Sequence, residues 1–458
     1  MTQTAPLRSV IPFCCLLIVS GCPPAPEVAP TAGVTVAEVL FVDSVWAGHP
    51  VDFALLTQPP HQFVAYYNQD RTMTVAYRKL NDDQWQYQPL PERTGWDSHN
   101  YISMALDEWG HLHLSGDMHG DTLNYYRTEK PYDIGSIKQV LPMVGKNEAR
   151  VTYPEFFYSP KGELVFTYRD GSSGRGNQIY NLYDATRKKW QRLLDTALVD
   201  GQGEMNAYLH GPVLGPDGYY HLVWVWRDTP DAATNHDLSY AKSRDLIHWE
   251  QSNGAPQSLP ITFDNAEIVD PVPARGGMIN GNTVIGFDRQ QRPVVTYHKY
   301  DSRGNTQVYN ARFERGNWKI YQATDWNFRW EFGGGGSIVA EVGVRPVEVS
   351  ADGRLTQEFH TDSLGTSKFV LHPETLSPQR AVPVLPDAPD ALYIVDSDFP
   401  GMEVRTHTEG KNTEPDSSWY MLRWETLSRN RDRPRKGPLP PASSLNLYKI
   451  SPVAQPDE

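Results

Sequence analysis

The chain has 458 residues, 39% hydrophobic and 21% charged, with 13 Trp, 24 Tyr, 37 Pro and 35 Gly. Turn formers this frequent and this evenly spread, beside so many aromatic residues, fit short strands and exclude a protein built of long helices. A formal charge of −13 argues against nucleic acid or an anionic membrane as partner, so an acidic ligand would have to meet a local cluster of Arg and His.

In chain order, Arg8 precedes an apolar run from Val10 to Val19, too short to span a bilayer. The run ends Ile18-Val19-Ser20-Gly21-Cys22, which resembles the lipobox of bacterial lipoproteins. Residues 1–21 are therefore expected to be a lipoprotein signal peptide, with Cys22 the lipidated first residue and 22–35 a Pro-rich tether. Pro23, where an Asp would retain a lipoprotein at the inner membrane, points to the outer membrane. Membrane contact would then run only through the lipid anchor. All three cysteines (Cys14, Cys15 and Cys22) lie in this segment, so no thiol remains for a disulfide or a zinc–thiolate site.

From residue 36 one unit recurs: a Gly or Pro turn, an apolar strand, a loop, a second strand, then a Trp. Gln62 to Tyr67, Met73 to Tyr77 and Trp85 form one copy. Asp107-Glu108-Trp109-Gly110 leads into His111 to Leu114, then Leu123 to Tyr126. Ser159-Pro160-Lys161-Gly162 leads into Glu163 to Tyr168, Ile179 to Tyr183 and Trp190. Gly215-Pro216-Asp217-Gly218 leads into Tyr219 to Trp226, Leu238 to Ala241 and Trp249. Asp288 to Pro293 leads into Val294 to Tyr297, Val308 to Ala311 and Trp318, and a weaker copy starts at Ala351-Asp352-Gly353. Tyr393 to Leu422 offers a seventh unit, with Leu445 to Lys449 closing against residues 36–42. Units of this size and content predict an all-β protein, a seven-bladed β-propeller over 36–458. A pair of β-sandwiches is the alternative. The Arg-rich tail from Arg429 to Arg435 is expected to wrap the outside.

Four groups able to trade protons or hold an anion stand at strand ends within 71 residues of one another: His99, His119, Tyr153 and Arg169. Taken singly, each has a structural explanation; a strand-end Tyr packs, and Arg169-Asp170 reads as a surface ion pair. Their context is more specific. Gly95-Trp96-Asp97-Ser98-His99-Asn100, Asp117-Met118-His119, Thr152-Tyr153-Pro154 and Tyr168-Arg169-Asp170-Gly171 resemble the BNR-4 repeat proteins. So do Asn206-Ala207-Tyr208, Trp226-Arg227-Asp228-Thr229-Pro230 and Asn235-His236-Asp237. The family contains propeller polysaccharide lyases, notably ulvan lyases, and enzymes that release rhamnose from glucuronate ends.

The resemblance implies β-elimination on a uronate-containing, ulvan-like polysaccharide. That reaction removes the C5 proton beside a carboxylate, so the anion must be neutralised, for which a guanidinium is best suited. A base must reach C5 and an acid must protonate the departing O4. Arg169 is expected to neutralise the carboxylate, Tyr153 and His99 to carry the protons in an order the sequence leaves open, and His119 to orient the sugar or share that work. Asn100, Tyr208, His210 and Arg227 are candidate substrate contacts. The chemistry needs no cofactor. A structural Ca2+ or Zn2+ is allowed, with His236 and His407 as weak candidate ligands, although zinc wants about four ligands and Arg405 nearby opposes a cation. An exo-glycosidase on the same scaffold would want paired carboxylates, which the matching blocks lack. A non-catalytic glycan-binding lipoprotein is the remaining alternative. A monomer is expected.

Overall fold

The computed structural model describes residues 33–409 and 418–453. The lipobox, Cys22 and the tether as far as residue 32 lie outside the described residues. Among the described residues the strands assemble into seven sheets. The first holds Ala54–Gln58, His61–Tyr67, Thr72–Lys79 and Gln86–Arg93, and the second Ser103–Leu106, Leu112–Ser115, Tyr125–Thr128 and Ile137–Gln139. The third holds Val151–Tyr158, Leu164–Ser172, Arg175–Asp184 and Lys189–Arg192, with His119–Asp121 and Val199–Asp200 added. The fourth holds Asn206–Leu214, Tyr220–Arg227, Asn235–Ser243 and Trp249–Glu250, with Glu267–Asp270 added. The fifth is Val284–Phe287, Pro293–Tyr300, Thr306–Glu314 and Asn317–Gln322. The sixth is Val342–Val344, Leu355–Thr361, Gly365–Leu371 and Pro378–Val382, with Glu348–Val349 added. The seventh joins Met402–Thr408, Trp419–Leu427 and Ser443–Pro452 to the first strand of the chain, Val34–Val45.

Burial follows from stacking. Tyr220–Arg227 (YHLVWVWR) is buried at every position, because sheets lie against both of its faces. Val34–Val45, an edge strand, alternates half-buried and exposed over its first eight residues. The cores lie between successive sheets. Tyr180 and Leu198 of the third meet Leu222, Trp224, Trp226 and Trp249 around the fourth. Val223 and Tyr240 of the fourth meet Val295 and Tyr297 of the fifth. Each buried Trp removes on the order of 200 Å² from water, worth about 5 kcal/mol before ordering entropy is subtracted.

The second and third strands of the expected units are where the alternation places them. The strand that opens each sheet was not foreseen, being short or, in Val151–Tyr158, interrupted. Residues 36–42 do pair with 445–450, Leu40 opposite Leu447 and Val36 opposite Ile450. Two expectations are made more definite. Tyr393 ends a 3-10 turn (Asp390–Tyr393), so the last sheet begins at Met402. The Arg429–Arg435 tail does not merely wrap the outside, because Asp432 in its middle is buried against residues 49, 98 and 337.

Candidate active site

His119 and Tyr153 owe their positions to two irregularities. His119–Asp121 leaves the second sheet and pairs with Val151–Tyr158 of the third, His119 lying opposite Thr152. At the next residue the ladder slips: Thr152 faces Arg169, but Glu155 faces Thr167. Tyr153 sits in this bulge with φ +58°, a left-handed conformation that a bulky residue adopts only at a cost of about 1–3 kcal/mol. The bulge turns its phenol out of the alternation and toward the histidines.

Asp97 collects both imidazoles. The Nδ1 of His99 lies 2.7 Å from Oδ1 and that of His119 lies 2.6 Å from Oδ2. The two rings stack, centroids 4.1 Å apart at 25°. The Tyr153 ring stands 5.8 Å from His99 and 6.4 Å from His119. Burial opposes ionisation of Asp97, but the hydrogen bonds from His119 and His99 outweigh it and hold its carboxyl well below the usual carboxylate range.

Behind Tyr153 lies a ladder of cations and phenols. The Arg169 guanidinium is 4.9 Å from the Tyr153 ring and 5.9 Å from that of Tyr208, and Arg227 is 5.1 Å from Tyr208 on the other side. Arg169 donates from Nη2 to Thr152 Oγ1 at 3.0 Å, while its Nε and Nη1 have no hydrogen-bond partner among the described residues. Arg227 donates to Tyr208 Oη (3.2 Å), Asn280 Oδ1 (3.4 Å) and the carbonyls of Pro230 and Asp231. Neither arginine pairs with a carboxylate among the described residues. Burial, with Tyr208 adding to it, pushes the Tyr153 phenol well above its ordinary value, and Arg169 and Arg227 draw it partly back. Tyr153 therefore carries its proton at neutral pH.

A cavity of about 810 Å³ is lined by His99, His119, Tyr153, Tyr208 and Arg227, together with Ser173, Asn280 and the glycine strap at 335–336. Of the expected residues, Arg169 does not line it: at 2% exposure it lies under the two phenols. Its guanidinium stands against the Tyr153 ring rather than on the cavity surface. Asn100 is also corrected; at 9% exposure it donates to Thr94 Oγ1 and accepts from Tyr67 Oη, bracing the turn before Tyr101. His210 stands on Asn206–Leu214 outside the lining set, and burial lowers its pKa.

The two histidines considered for metal are apart from each other. His236 of the fourth sheet sits between Asp228 (3.0 Å) and Asp237 (2.7 Å), and His407 of the seventh lies near Asp52. Among the described residues the one group of three potential ligands is Asp97, His99 and His119. Sequence reasoning missed Asp97, although it stands two residues before His99. It also missed Asp432, which reaches Ser98 from 334 residues away and leaves no local signal. Glu155, likewise unforeseen, lines the cavity, and burial raises its carboxyl.

The all-β fold thus gathers two imidazoles, two phenols and one guanidinium at a cavity wall, with a second guanidinium beneath it. Residues 61–326, more than half the chain, match the family described as BNR repeat-containing family member (BNR_4), and the chain belongs to that family. Over 180 residues it is 24% identical to the ulvan lyase, long isoform, of Alteromonas sp., covering 37% of this chain and 16% of that protein. Over 140 residues it is 28% identical to the ulvan lyase, short isoform, of Alteromonas sp. (strain LOR), covering 28% of this chain and 26% of that protein. The matched stretches are well under two thirds of either relative. Among solved structures, polysaccharide lyase Uly1 superposes with a TM-score of 0.59 at 14% identity, over 91% of this chain and 99% of its own. A PL25 ulvan lyase bound to -[GlcA(1-4)Rha3S]- gives 0.58 at 14% identity, over 90% and 95%. Likeness at such identity shows a shared fold.

Proposed function

We propose that the chain is a polysaccharide lyase that cleaves an acidic, uronate-containing and ulvan-like polysaccharide by β-elimination. The observation that carries this reading is the positive charge of Arg227 at the cavity wall and of Arg169 beneath it, neither in an ion pair among the described residues, in a chain whose net charge is −13. Buried guanidinium groups without carboxylates are costly, and a bound anion offsets that cost. Ulvan lyases among the relatives and fold neighbours support the substrate class.

In this reading an imidazole of the His99–His119 pair takes the C5 proton of the uronate. The electron pair from the C5–H bond forms the C4=C5 double bond, and the C4–O4 bond breaks. Tyr153, protonated because of its burial, gives its proton to the departing O4. Arg169, against the ring, holds the resulting phenolate until the proton on the histidine is returned through solvent. Arg227, Tyr208 and Ser173 face the sugar, the last two hydrogen-bonded to each other at 2.7 Å.

The same reading takes the seven sheets as the blades of a seven-bladed β-propeller forming one catalytic unit from residue 36. It also takes Cys22 as the anchor of an exported outer-membrane lipoprotein, on the strength of the lipobox-like residues. The test is an absorbance screen over uronic-acid polysaccharides. The unsaturated uronate absorbs near the ultraviolet edge, and the expected result is a rise on ulvan that Arg169→Ala abolishes while the chain stays folded. Binding without any absorbance change on every polymer would overturn the lyase reading in favour of a glycan-binding protein.

A further inference from the structure

We propose that Asp97 is the positioning residue for both histidines, one carboxylate fixing two imidazoles in the same tautomer so that each presents its Nε2 lone pair as a proton acceptor. The inference rests on the proton-transfer role given above to His99 and His119, and adds what sets their state.

An ionised carboxylate only accepts hydrogen bonds. At 2.7 and 2.6 Å, the Nδ1 atoms facing Oδ1 and Oδ2 must therefore carry hydrogens. In a neutral imidazole the other nitrogen then holds a lone pair, and it lies on the ring edge turned away from Asp97. Both rings line the cavity. Because the rings stack at 4.1 Å, two imidazoliums side by side would repel, whereas one is stabilised by the shared carboxylate. Asp97 thus serves a pair that accepts one proton at a time.

Asp97 is itself held in place. Its Oδ1 also accepts the His99 backbone N–H at 2.9 Å, closing a tight turn over residues 97–99. That turn is pinned by Asp432, which accepts Ser98 N–H (3.0 Å) and Ser98 Oγ–H (2.9 Å), the His49 Nε2 hydrogen (3.2 Å) and Ser337 N–H (2.6 Å). Asp432 Oδ2 also lies 3.5 Å from His99 Nδ1, a weaker second contact to the same hydrogen. Asp97 and Asp432, both held well below the usual carboxylate range by the hydrogen bonds they accept, stay ionised across the pH range of a working enzyme.

The experiment uses the full chain labelled with nitrogen-15 at histidine. Long-range proton–nitrogen spectra at a pH where both rings are neutral are assigned with His99→Gln and His119→Gln. The wild-type chain is expected to show both rings protonated at Nδ1. An asparagine offers one acceptor and one donor, so Asp97→Asn is expected to force one of the two rings to the Nε2-protonated form. With it, kcat falls by about 10²–10⁴-fold, as when a carboxylate holding an imidazole tautomer is lost, with KM little changed. Asp97→Glu, which keeps two acceptors, is expected to recover part of kcat. The proposal is overturned if either wild-type ring is already Nε2-protonated, or if Asp97→Asn leaves both tautomers as they were. It is equally overturned if the wild-type chain retains one equivalent of a divalent metal that Asp97→Asn loses, because the three groups would then be ligands. Should Asp97→Asn not fold, the wild-type spectrum alone decides. A wild-type chain with the expected tautomers that leaves no unsaturated uronate on any polymer would sink the lyase reading and leave the positioning intact.

Discussion

Arg169 and Arg312 are equally hidden, each 2% exposed, yet they are opposite kinds of buried charge. Arg312, in the fifth sheet, is fully engaged. It donates to Glu314 Oε1 (2.5 Å), Asp288 Oδ2 (3.2 Å) and the carbonyls of Pro373 (2.7 Å) and Glu374 (2.8 Å), and so ties that sheet to the turn after Leu371. Arg169, in the third, has one hydroxyl and two phenol rings. The fifth sheet runs in unbroken register from Val294–Arg312 to Tyr300–Thr306, whereas the third carries the bulge at Tyr153 and a strand borrowed from its neighbour. Charge buried for architecture arrives with its counterions, as at Arg312; under the proposed function, Arg169 is charge whose counterion is left to the substrate.

A crossed pair of substitutions tests this directly. Arg312→Met takes from Glu314 its only cation among the described residues and one of two from Asp288, which keeps Arg292, and is expected to destabilise by about 3–5 kcal/mol in urea unfolding, with activity per folded molecule retained. Arg169→Met removes an uncompensated charge, so stability should hold or rise while lyase activity falls by about 10²–10³-fold. If both variants lose stability equally, the distinction is wrong.

A second test uses acid. Burial pushes the His298 imidazole, packed against Trp330, down to about 4. The unfolded chain takes up that proton below about pH 6.5 and the folded chain only near pH 4. Stability owed to the neutral ring is therefore complete above about pH 6.5 and lost as pH falls toward 4, by about 3 kcal/mol at most. Melting temperatures of wild type and His298→Leu between pH 7 and 4.5 should show a shallower decline in the variant; parallel curves would contradict it. The smallest effect is expected from Gly176→Ala, opposite Gly171 in the hairpin beside Arg169. Its Cβ would lie 2.8 Å from Arg169 Cδ and 2.3 Å from Asn206 Oδ1, displacing the guanidinium without changing its charge. Activity should drop about tenfold, with a native circular dichroism spectrum, because misplacement by about an ångström weakens an oriented site.

The repeated turn–strand–strand–Trp pattern made most of the sheets legible, since Tyr219 to Trp226 or Val294 to Tyr297 can only be strands covered on both faces. The opening strands were not legible. Ser103–Leu106 is four residues long, and the bulge that aims Tyr153 is a break in alternation that reads as a turn before Pro154. The site was legible as a set of residue types, because His99, His119, Tyr153 and Arg169 do converge around one another. Depth was not. No sequence pattern distinguishes an arginine at a cavity wall, as Arg227 is, from one beneath it, as Arg169 is. Nor does any pattern connect Asp432 to Ser98 across the length of the chain.

The pairing of Val34–Val45 with Ser443–Pro452 couples the timetable of synthesis to competence. A nascent chain can stack its early sheets, but the seventh lacks its closing partner until residue 452 has emerged, and the Asp432 clamp on the His99 turn belongs to that same late segment. A molecule clipped before Asp432 would hold His99, His119, Tyr153 and Arg169 yet lack the carboxylate that fastens the loop beneath His99.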